Sequence, residues 1–239
     1  MPEKSLKVAL LTYTPDPEKT CALAARMCYS HADVDALREK VSQQDQAAYL
    51  QRILSSGHLS VLEHASFTFA VEGVSRVLLA QLTRHRIASF SVQSQRYVSL
   101  KDDFFYIIPP RIRALGEEAA AEYRAQMETA HGWYEKWQAL LGDAGESSNE
   151  DARFVLPSAC ETRLTLTRNA RELRHFFSLR CCNRAQWEIR ELATQMLFLC
   201  RQAAPALFND AGPSCLNGAC PEGGKTCGQA AAVREKFKA

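Results

Sequence analysis

Residues 82–98, LTRHRIASFSVQSQRYV, bring fixed positive charge into a segment that is otherwise typical of a half-buried strand. Arg84, His85, Arg86 and Arg96 stand among apolar, hydroxyl and amide side chains, and the segment contains no acidic residue. A guanidinium group that leaves water needs a carboxylate or another anion beside it. We therefore expect an external anion such as phosphate, which arginine binds through two parallel hydrogen bonds.

A solvated charged surface or a nucleic-acid-binding patch would also account for these residues. Strong nucleic-acid binding predicts a basic overall balance, with exposed aromatic side chains interleaved among the charges. The 239-residue chain has a formal net charge of only +2, with 46% hydrophobic and 23% charged residues. This composition favours a globular protein with a local anion site, and we expect no nucleic acid among its partners.

A second group of cationic residues follows further along the chain. It consists of Arg153 and the basic residues of RNARELRHFFSLRCCNRAQWEIR. An exposed basic helix surface would explain Arg174 and Arg190. It explains Arg180 less well, because two phenylalanines and a leucine precede that residue.

The stretch HLSVLEH contains His58, Ser60, Glu63 and His64, a set that could suggest a metal site. However, the histidines are six positions apart, not the four that place both side chains on one face of a helix. A polar loop in contact with a ligand, or a Glu–His hydrogen bond that fixes a turn, accounts for the stretch better. We expect no metal.

The cysteines number nine, an odd count in a chain long enough to fold without cross-links. This favours reduced thiols and a cytoplasmic protein. Cys215, Cys220 and Cys227 lie in a loop-like tail, where zinc would need a fourth ligand from elsewhere; free thiols or one local disulfide are the alternatives. No apolar run approaches the roughly 18 residues that span a bilayer, and no signal peptide is evident, so we expect no membrane association.

Hydrophobic periodicity predicts a single α+β domain. Strands are predicted at Lys7–Thr12, at 67–71 with Gly73 as the break, at 105–108 and at Thr162–Thr167. Helices are predicted at 17–30, 34–57, 74–85 and 117–141, in two segments after the last strand, and in a short segment near residue 239.

The segment RHRIASFSVQS is an Arg-His-Arg tripeptide followed by seven residues and a serine. It resembles the signature of the flavin-dependent thymidylate synthases. HLSVLEHASFTF, ARFVLP, TRNARELRHF and AQWEIRELA resemble further segments of that family in the same order. The resemblance covers residues 7–210, so a family domain is expected over 1–210 and a cysteine-containing tail of unknown role over 211–239.

The resemblance implies both a fold and a reaction. The fold is an α+β domain with a mixed β-sheet flanked by helices, assembled as a homotetramer whose active sites form between subunits. The reaction is the reductive methylation of dUMP to dTMP, with methylenetetrahydrofolate as carbon donor, FAD as bound redox cofactor and NADPH as reductant.

The same resemblance implies residue roles. Arg180 matches the arginine that helps to ionise the uracil ring, which would activate the substrate without a cysteine nucleophile. The positions that match FAD contacts are His58, Ser60, Arg84, His85, Arg86, Asn169, Arg171 and His175. The positions that match dUMP contacts are Gln81, Arg84, Ser94, Gln95, Arg96, Arg153 and Arg180.

One position departs from the family pattern. Val92 stands where related sequences often carry Gln or Glu, and a valine side chain cannot hydrogen-bond to a ligand. Gln93 is the neighbour that could compensate. A structural oligomer, with arginines that pair with carboxylates across its interfaces, is the competing hypothesis from another class of protein.

Overall fold

Alternating burial along two strands explains where the sheet forms. In β2, Ser66–Ser75, the side chains of Phe67 and Phe69 are buried and their neighbours are half-buried, as the period of a strand requires. β4, Glu161–Asn169, shows the same alternation, and Arg168 occupies one of its buried positions.

The computed structural model describes residues 3–102 and 104–238, and within them four strands form one sheet in the order β1-β2-β4-β3. Thr68 and Thr167 join β2 to β4 by a side-chain hydrogen bond of 2.9 Å, and the Gly73 N–H donates to Glu161 Oε1 at 2.9 Å. Residue numbers therefore rise on one strand as they fall on the other. The sheet is antiparallel, which corrects the predicted mixed sheet. The two outer strands are β1, Lys7–Tyr13, and β3, Ser89–Val92.

Helices account for most of the remaining regular structure. The α-helices are α1 Pro17–Met27, α2 Val34–Ser42, α3 Ala47–Ser55, α4 Arg76–Leu82, α5 Pro110–Arg113, α6 Glu117–Leu140, α7 Glu146–Ala152, α8 Ala170–Arg180, α9 Trp187–Ala203, α10 Pro205–Phe208 and α11 Ala230–Phe237. Short 3-10 helices cover Leu59–His64, Arg153–Val155 and Gly223–Lys225.

The α+β chain forms two compact units, with a boundary between Arg84 and His85. The first unit comprises Met1–Lys7, Val71–Arg84 and Phe90–Thr165, and the second comprises Val8–Ala70, His85–Ser89 and Leu166–Ala239. In the first unit, Phe104, Tyr106 and Tyr134 belong to one buried cluster. In the second unit, the Phe208 ring meets Phe67 and Phe177 edge-on, with centroids 5.3 and 6.1 Å away.

The tail packs within the second unit. Phe237 of α11 is buried and stacks on Phe198 of α9, with ring centroids 6.1 Å apart. Arg201 donates to the Phe237 and Ala211 carbonyls at 2.9 and 2.8 Å. These contacts fix α11 against α9.

Most predicted elements are confirmed, and two strand predictions need correction. Gly73 does not end β2: glycine tolerates a φ of +72° without steric cost, and the strand continues past it to Ser75. The predicted strand at 105–108 is reduced to isolated bridges at Tyr106, which pair it with Glu3 and with Cys160.

The predicted helix at 34–57 consists of two helices, α2 and α3. The Gln46 side chain donates to the Val41 and Gln44 carbonyls at 3.1 and 2.7 Å. A continuous helix would bond such carbonyls to its own backbone N–H groups, so this side chain stabilises the interruption.

Candidate active site

One hydrogen bond joins two predicted site residues of the second unit. Arg180 is the last residue of α8, and its Nε–H donates to His85 Nε2 at 2.9 Å. Phe176 lies one turn earlier on the same face of α8, and its ring lies edge-on to the His85 ring with centroids 5.1 Å apart. Helix α8 thus positions both the guanidinium and the surface on which the imidazole rests.

The imidazole of His85 is neutral near pH 7. Burial, followed by the positive charges of Arg168, Arg180 and His175, lowers the pKa of His85 to about 4. A neutral ring can accept the hydrogen bond from Arg180 at Nε2, whereas a protonated ring cannot. Arg180 has no carboxylate partner among residues 3–102 and 104–238, so no ion pair of the described chain neutralises its positive charge.

Arg168 supports the same group, although sequence reasoning gave it no role. Its Nη2 donates to the His85 carbonyl at 3.4 Å, and its guanidinium lies 4.7 Å from the Phe176 ring centroid. Burial lowers the pKa of Arg168 to about 10, so the side chain remains a cation near pH 7. The alternation of residues in β4 could have predicted the burial of Arg168, because it places this arginine on the same face as the buried Leu164 and Leu166.

A pocket of about 630 Å³ lies along α8, within the usual range for small-molecule sites. Arg171 and His175 line it, and both side chains are exposed. Arg171 pairs with Glu63 at 2.5 Å. Arg174 lines the same pocket and donates to both carboxylate oxygens of Asp210, at 2.6 and 3.0 Å.

The predicted exposed basic surface is therefore wrong for two arginines. Arg174 is half-buried and paired with Asp210. Arg190 is also half-buried, and its Nη1 donates to the Asn183 carbonyl at 2.8 Å. By contrast, Arg84 and Arg86 are exposed, which corrects the expectation that their guanidinium groups leave water.

The HLSVLEH stretch forms the 3-10 helix Leu59–His64 in the second unit, with Val61 and Leu62 buried and the polar residues exposed. His58 Nδ1 lies 2.9 Å from the Tyr29 hydroxyl, and Ser60 is exposed on the 3-10 helix that follows. Glu63 pairs with Arg171, so the proposed Glu–His hydrogen bond is wrong. Within the described ranges, no group of three His, Cys, Asp or Glu side chains could hold a metal ion.

Asn169 starts α8. Its Oδ1 accepts the backbone N–H of Glu172 at 2.9 Å, which satisfies one of the free donors at the beginning of the helix. This bond uses the carbonyl end of the side chain, so the Nδ2 amide is the end available to a ligand.

Arg96 organises the predicted nucleotide residues of the first unit. Its guanidinium lies between two carboxylates of α7, 2.8 Å from Glu146 and 2.9 Å from Glu150. Arg153 joins the same group, since its Nε–H donates to the Glu150 carbonyl at 3.0 Å. The partners that the 82–98 segment lacks are thus supplied within the chain.

The remaining predicted nucleotide residues are already partly engaged. Ser94 Oγ accepts the backbone N–H groups of Arg96 and Tyr97, at 3.1 and 3.4 Å, and so fixes a turn after β3. Gln95 Nε2 donates to Cys160 Sγ at 3.4 Å. Gln81 lies in the last turn of α4, and Arg84 follows the end of that helix.

The structure describes all nine cysteines as free thiols. Cys182, Cys215 and Cys220 line a second pocket of about 340 Å³ together with Arg180. Hydrogen bonds to the Thr226 side chain and the Glu222 backbone lower the pKa of the Cys220 thiol.

Comparison with known proteins identifies the family. A family model described as "Thymidylate synthase complementing protein" matches residues 9–206. A protein of Geobacter sulfurreducens named flavin-dependent thymidylate synthase is 55% identical over 235 residues, 98% of each chain. Proteins with the same name are 48% identical in Clostridium tetani, over 97% of each chain, and 41% identical in Pyrococcus furiosus, over 91% of this chain and 90% of that one. The chain belongs to the flavin-dependent thymidylate synthase family.

As a flavin-dependent thymidylate synthase, the protein is an enzyme with a flavin cofactor, and the family predicted from the sequence is confirmed. The second unit of this synthase contains groups that suit FAD, a dinucleotide with a negatively charged pyrophosphate. The pocket along α8 is lined by the His175 ring, by the buried backbone around Gly212, and by Arg171 and Arg174, which pair with Glu63 and Asp210.

The structure brings some predicted residues of the synthase together and leaves others apart. His85 contacts Arg180, Arg171 and His175 line one pocket, and Arg96 and Arg153 share Glu150. Gln81 and Arg84 have no side-chain hydrogen bond to these groups in the part of the chain described. No helix of the described residues is both long and apolar enough to cross a membrane.

Proposed function

We propose that this synthase methylates dUMP to dTMP, with methylenetetrahydrofolate as carbon donor and NADPH as reductant. The observation that carries this proposal is the hydrogen bond from Arg180 to neutral His85, which leaves a half-buried guanidinium charge without a carboxylate. Such a charge suits a substrate that becomes anionic as it reacts. The names of the relatives support the reaction class.

The proposed reaction balances without a nucleophile from the protein. Carbon 5 of the uracil loses a proton and forms a bond to the methylene carbon, whose bonds to the folate nitrogens break. NADPH supplies a hydride and solvent supplies a proton, so the products are dTMP, tetrahydrofolate and NADP⁺. FAD, when bound, would supply the two-electron redox chemistry that links NADPH to the substrates.

Arg180 has the central role in this proposal. Its Nη groups would donate to the uracil amide and stabilise negative charge there, which increases electron density at carbon 5. The buried thiols are poor alternatives as nucleophiles: burial raises the pKa of Cys21 and of Cys181 to about 12, so neither forms a thiolate near pH 7.

We propose FAD contacts for the residues along α8 and the turn that packs on it. Arg171 and His175 would bind phosphate oxygens or ring edges, while Asn169 would offer its Nδ2 amide. The exposed His58, Ser60, Arg84 and Arg86 would complete the contacts, and His85 would offer its Nδ1–H. Support comes from the pocket of about 630 Å³ and from the exposure of most of these side chains, with Asn169 and His85 half-buried.

The charge around Arg96 supports an active site shared between subunits. Arg96 and Arg153 carry two positive charges, and Glu146 and Glu150 cancel them. A phosphate dianion therefore needs cations beyond this neutral group. In our proposal Arg84 of another subunit supplies one, within a homotetramer, while Gln81, Ser94 and Gln95 donate neutral hydrogen bonds to dUMP.

The location that we propose is the cytoplasm. Nine free thiols support a reducing compartment, and the proposed substrates do not require a membrane or a nucleic acid.

The decisive experiment measures NADPH oxidation by the flavin-loaded protein with and without dUMP, then dTMP formation after methylenetetrahydrofolate is added. We expect a yellow protein, and dTMP only when all components are present. A colourless protein that cannot be reconstituted with FAD, or a yellow one that forms no dTMP, would refute the proposal. A structural oligomer would give the first result.

The variant Arg180→Ala tests the role of the guanidinium. We expect it to retain flavin and to lose dTMP formation by about 100-fold or more, the usual effect of removing one electrostatic donor. Arg38→Ala, at an exposed position of α2, is the control and should match the parent protein. Normal turnover by Arg180→Ala would exclude the proposed ionisation role.

A further inference from the structure

We infer that His85 is the positioning residue of Arg180: it fixes the plane of the guanidinium group without cancelling its charge. Only the identity of the substrate rests on the proposed function. The contact itself is a property of the second unit and can be measured without turnover.

Contacts on three sides hold His85 in place. Arg168 Nη2 donates to its backbone carbonyl at 3.4 Å, and Phe176 meets its ring edge-on at 5.1 Å. The third contact is the hydrogen bond that Arg180 Nε–H donates to His85 Nε2 at 2.9 Å. The Arg168 guanidinium also lies 4.7 Å from the centroid of the Phe176 ring. Arg168, Phe176 and His85 therefore form one packed group.

A neutral acceptor differs from a carboxylate in what it leaves for the substrate. A guanidinium has five N–H donors, and a carboxylate at this place would pair with two of them and neutralise the charge. His85 accepts only the Nε–H, so within the described residues the four N–H groups of the two Nη atoms keep no hydrogen-bond partner and no carboxylate neutralises the charge. The imidazole therefore orients the group while preserving its electrostatic effect.

The groups around the ring keep it in the accepting form. Arg168, Arg180 and His175 are the charged or titratable residues that act on His85, and each disfavours a second positive charge. Because the pKa of His85 is lowered to about 4, the acceptor is present throughout the pH range in which the enzyme would work.

Nitrogen-15 NMR of histidine-labelled, flavin-loaded protein tests this contact directly. The His85 resonances are assigned by their absence from the spectrum of His85→Gln. We expect them to show an unprotonated Nε2 at pH 7 and a ring that titrates near pH 4. Arg180→Ala should raise the pKa of that ring, because it removes a nearby positive charge. A protonated Nε2 at pH 7, or a pKa unchanged by Arg180→Ala, would overturn the inference.

Kinetics supply the second measurement. His85→Phe keeps a ring of similar shape without an acceptor, and we expect it to lower kcat for dTMP formation by about 100-fold with a smaller change in the KM for dUMP. The amide oxygen of the glutamine in His85→Gln can accept the same hydrogen bond, so the kcat of this variant should exceed that of His85→Phe by at least tenfold. His31→Phe, at an exposed position outside the site, is the matched control.

A double-mutant cycle separates positioning from simple structural support. In the Arg180→Ala background, His85→Phe should have little further effect, since the group that it positions is gone. If the two losses multiply, or if excess flavin restores full kcat to His85→Phe, His85 acts independently of Arg180 and the inference is wrong. If the NMR result holds but the parent protein forms no dTMP, the proposed reaction fails and the contact stands.

Discussion

Replacing Gly73 by alanine tests whether β2 depends on the close approach of the backbone at Ser5. Gly73 has φ +72°, and a Cβ built on it would lie 1.9 Å from the Ser5 carbonyl oxygen and 2.5 Å from its carbonyl carbon. The obstacle is backbone, which cannot rotate away as a side chain can. The segment before β1 would have to retreat from β2.

The expected loss of unfolding free energy can be estimated from three contributions. Alanine in the left-handed region costs about 1–2 kcal/mol. Displacing a packed neighbour costs about 1–3 kcal/mol, and the less flexible unfolded chain returns about 0.4–1 kcal/mol. The net expectation for Gly73→Ala is a loss of about 3 kcal/mol.

Gly57→Ala is the matched control. Gly57 has φ +79°, but a Cβ there would meet nothing within 4 Å, so only the backbone cost applies, about 1 kcal/mol. Urea unfolding followed by circular dichroism should separate the two variants by about 2 kcal/mol, and thermal melts by about 4–8 °C. Equal losses would show that the segment at Ser5 moves freely and that close approach does not explain this glycine.

Three further predictions concern the second unit. Asp210→Asn should lower the free energy of unfolding by about 2 kcal/mol, because Arg174 loses a charge-assisted partner; a urea midpoint equal to that of the parent would contradict this. Iodoacetamide should alkylate Cys220, whose pKa is lowered, well before Cys200, whose pKa burial raises; mass spectrometry of timed samples would reveal the reverse order if it occurs. The parent protein should lose about 1–2 kcal/mol more stability than His85→Gln as pH falls from 6.5 to 4, allowing for partial exposure of the ring. The unfolded histidine takes up a proton in that window and the folded one, with its pKa of about 4, does not; parallel pH profiles for the two proteins would refute the assigned pKa.

Local patterns in the sequence were sufficient to locate most elements. The alternation at 67–71 and the helix formers at 117–141 each depend on neighbours within one segment, and β2 and α6 confirm them. The interruption between α2 and α3 was missed because it depends on how one side chain, Gln46, bonds to nearby carbonyls. Periodicity does not contain that information.

Charge pairing over long distances along the chain was not predictable in the same way. The absence of an acidic residue near Arg96 suggested an external anion, yet Glu146 and Glu150 approach it from α7. Arg180 differs from Arg96 because no carboxylate of the described chain pairs with it. The argument for an anionic ligand therefore still applies to Arg180. Which arginine stays unpaired is decided by tertiary structure.

The boundary of the two compact units between Arg84 and His85 has a consequence for how the Arg-His-Arg tripeptide is compared between homologues. Arg84 follows α4 and owes its place to the first unit, whereas His85 owes its place to Arg168 and Phe176 of the second. These two adjacent residues are thus held in place by different parts of the fold. Ligand assignments for this tripeptide should therefore be transferred between homologues one position at a time.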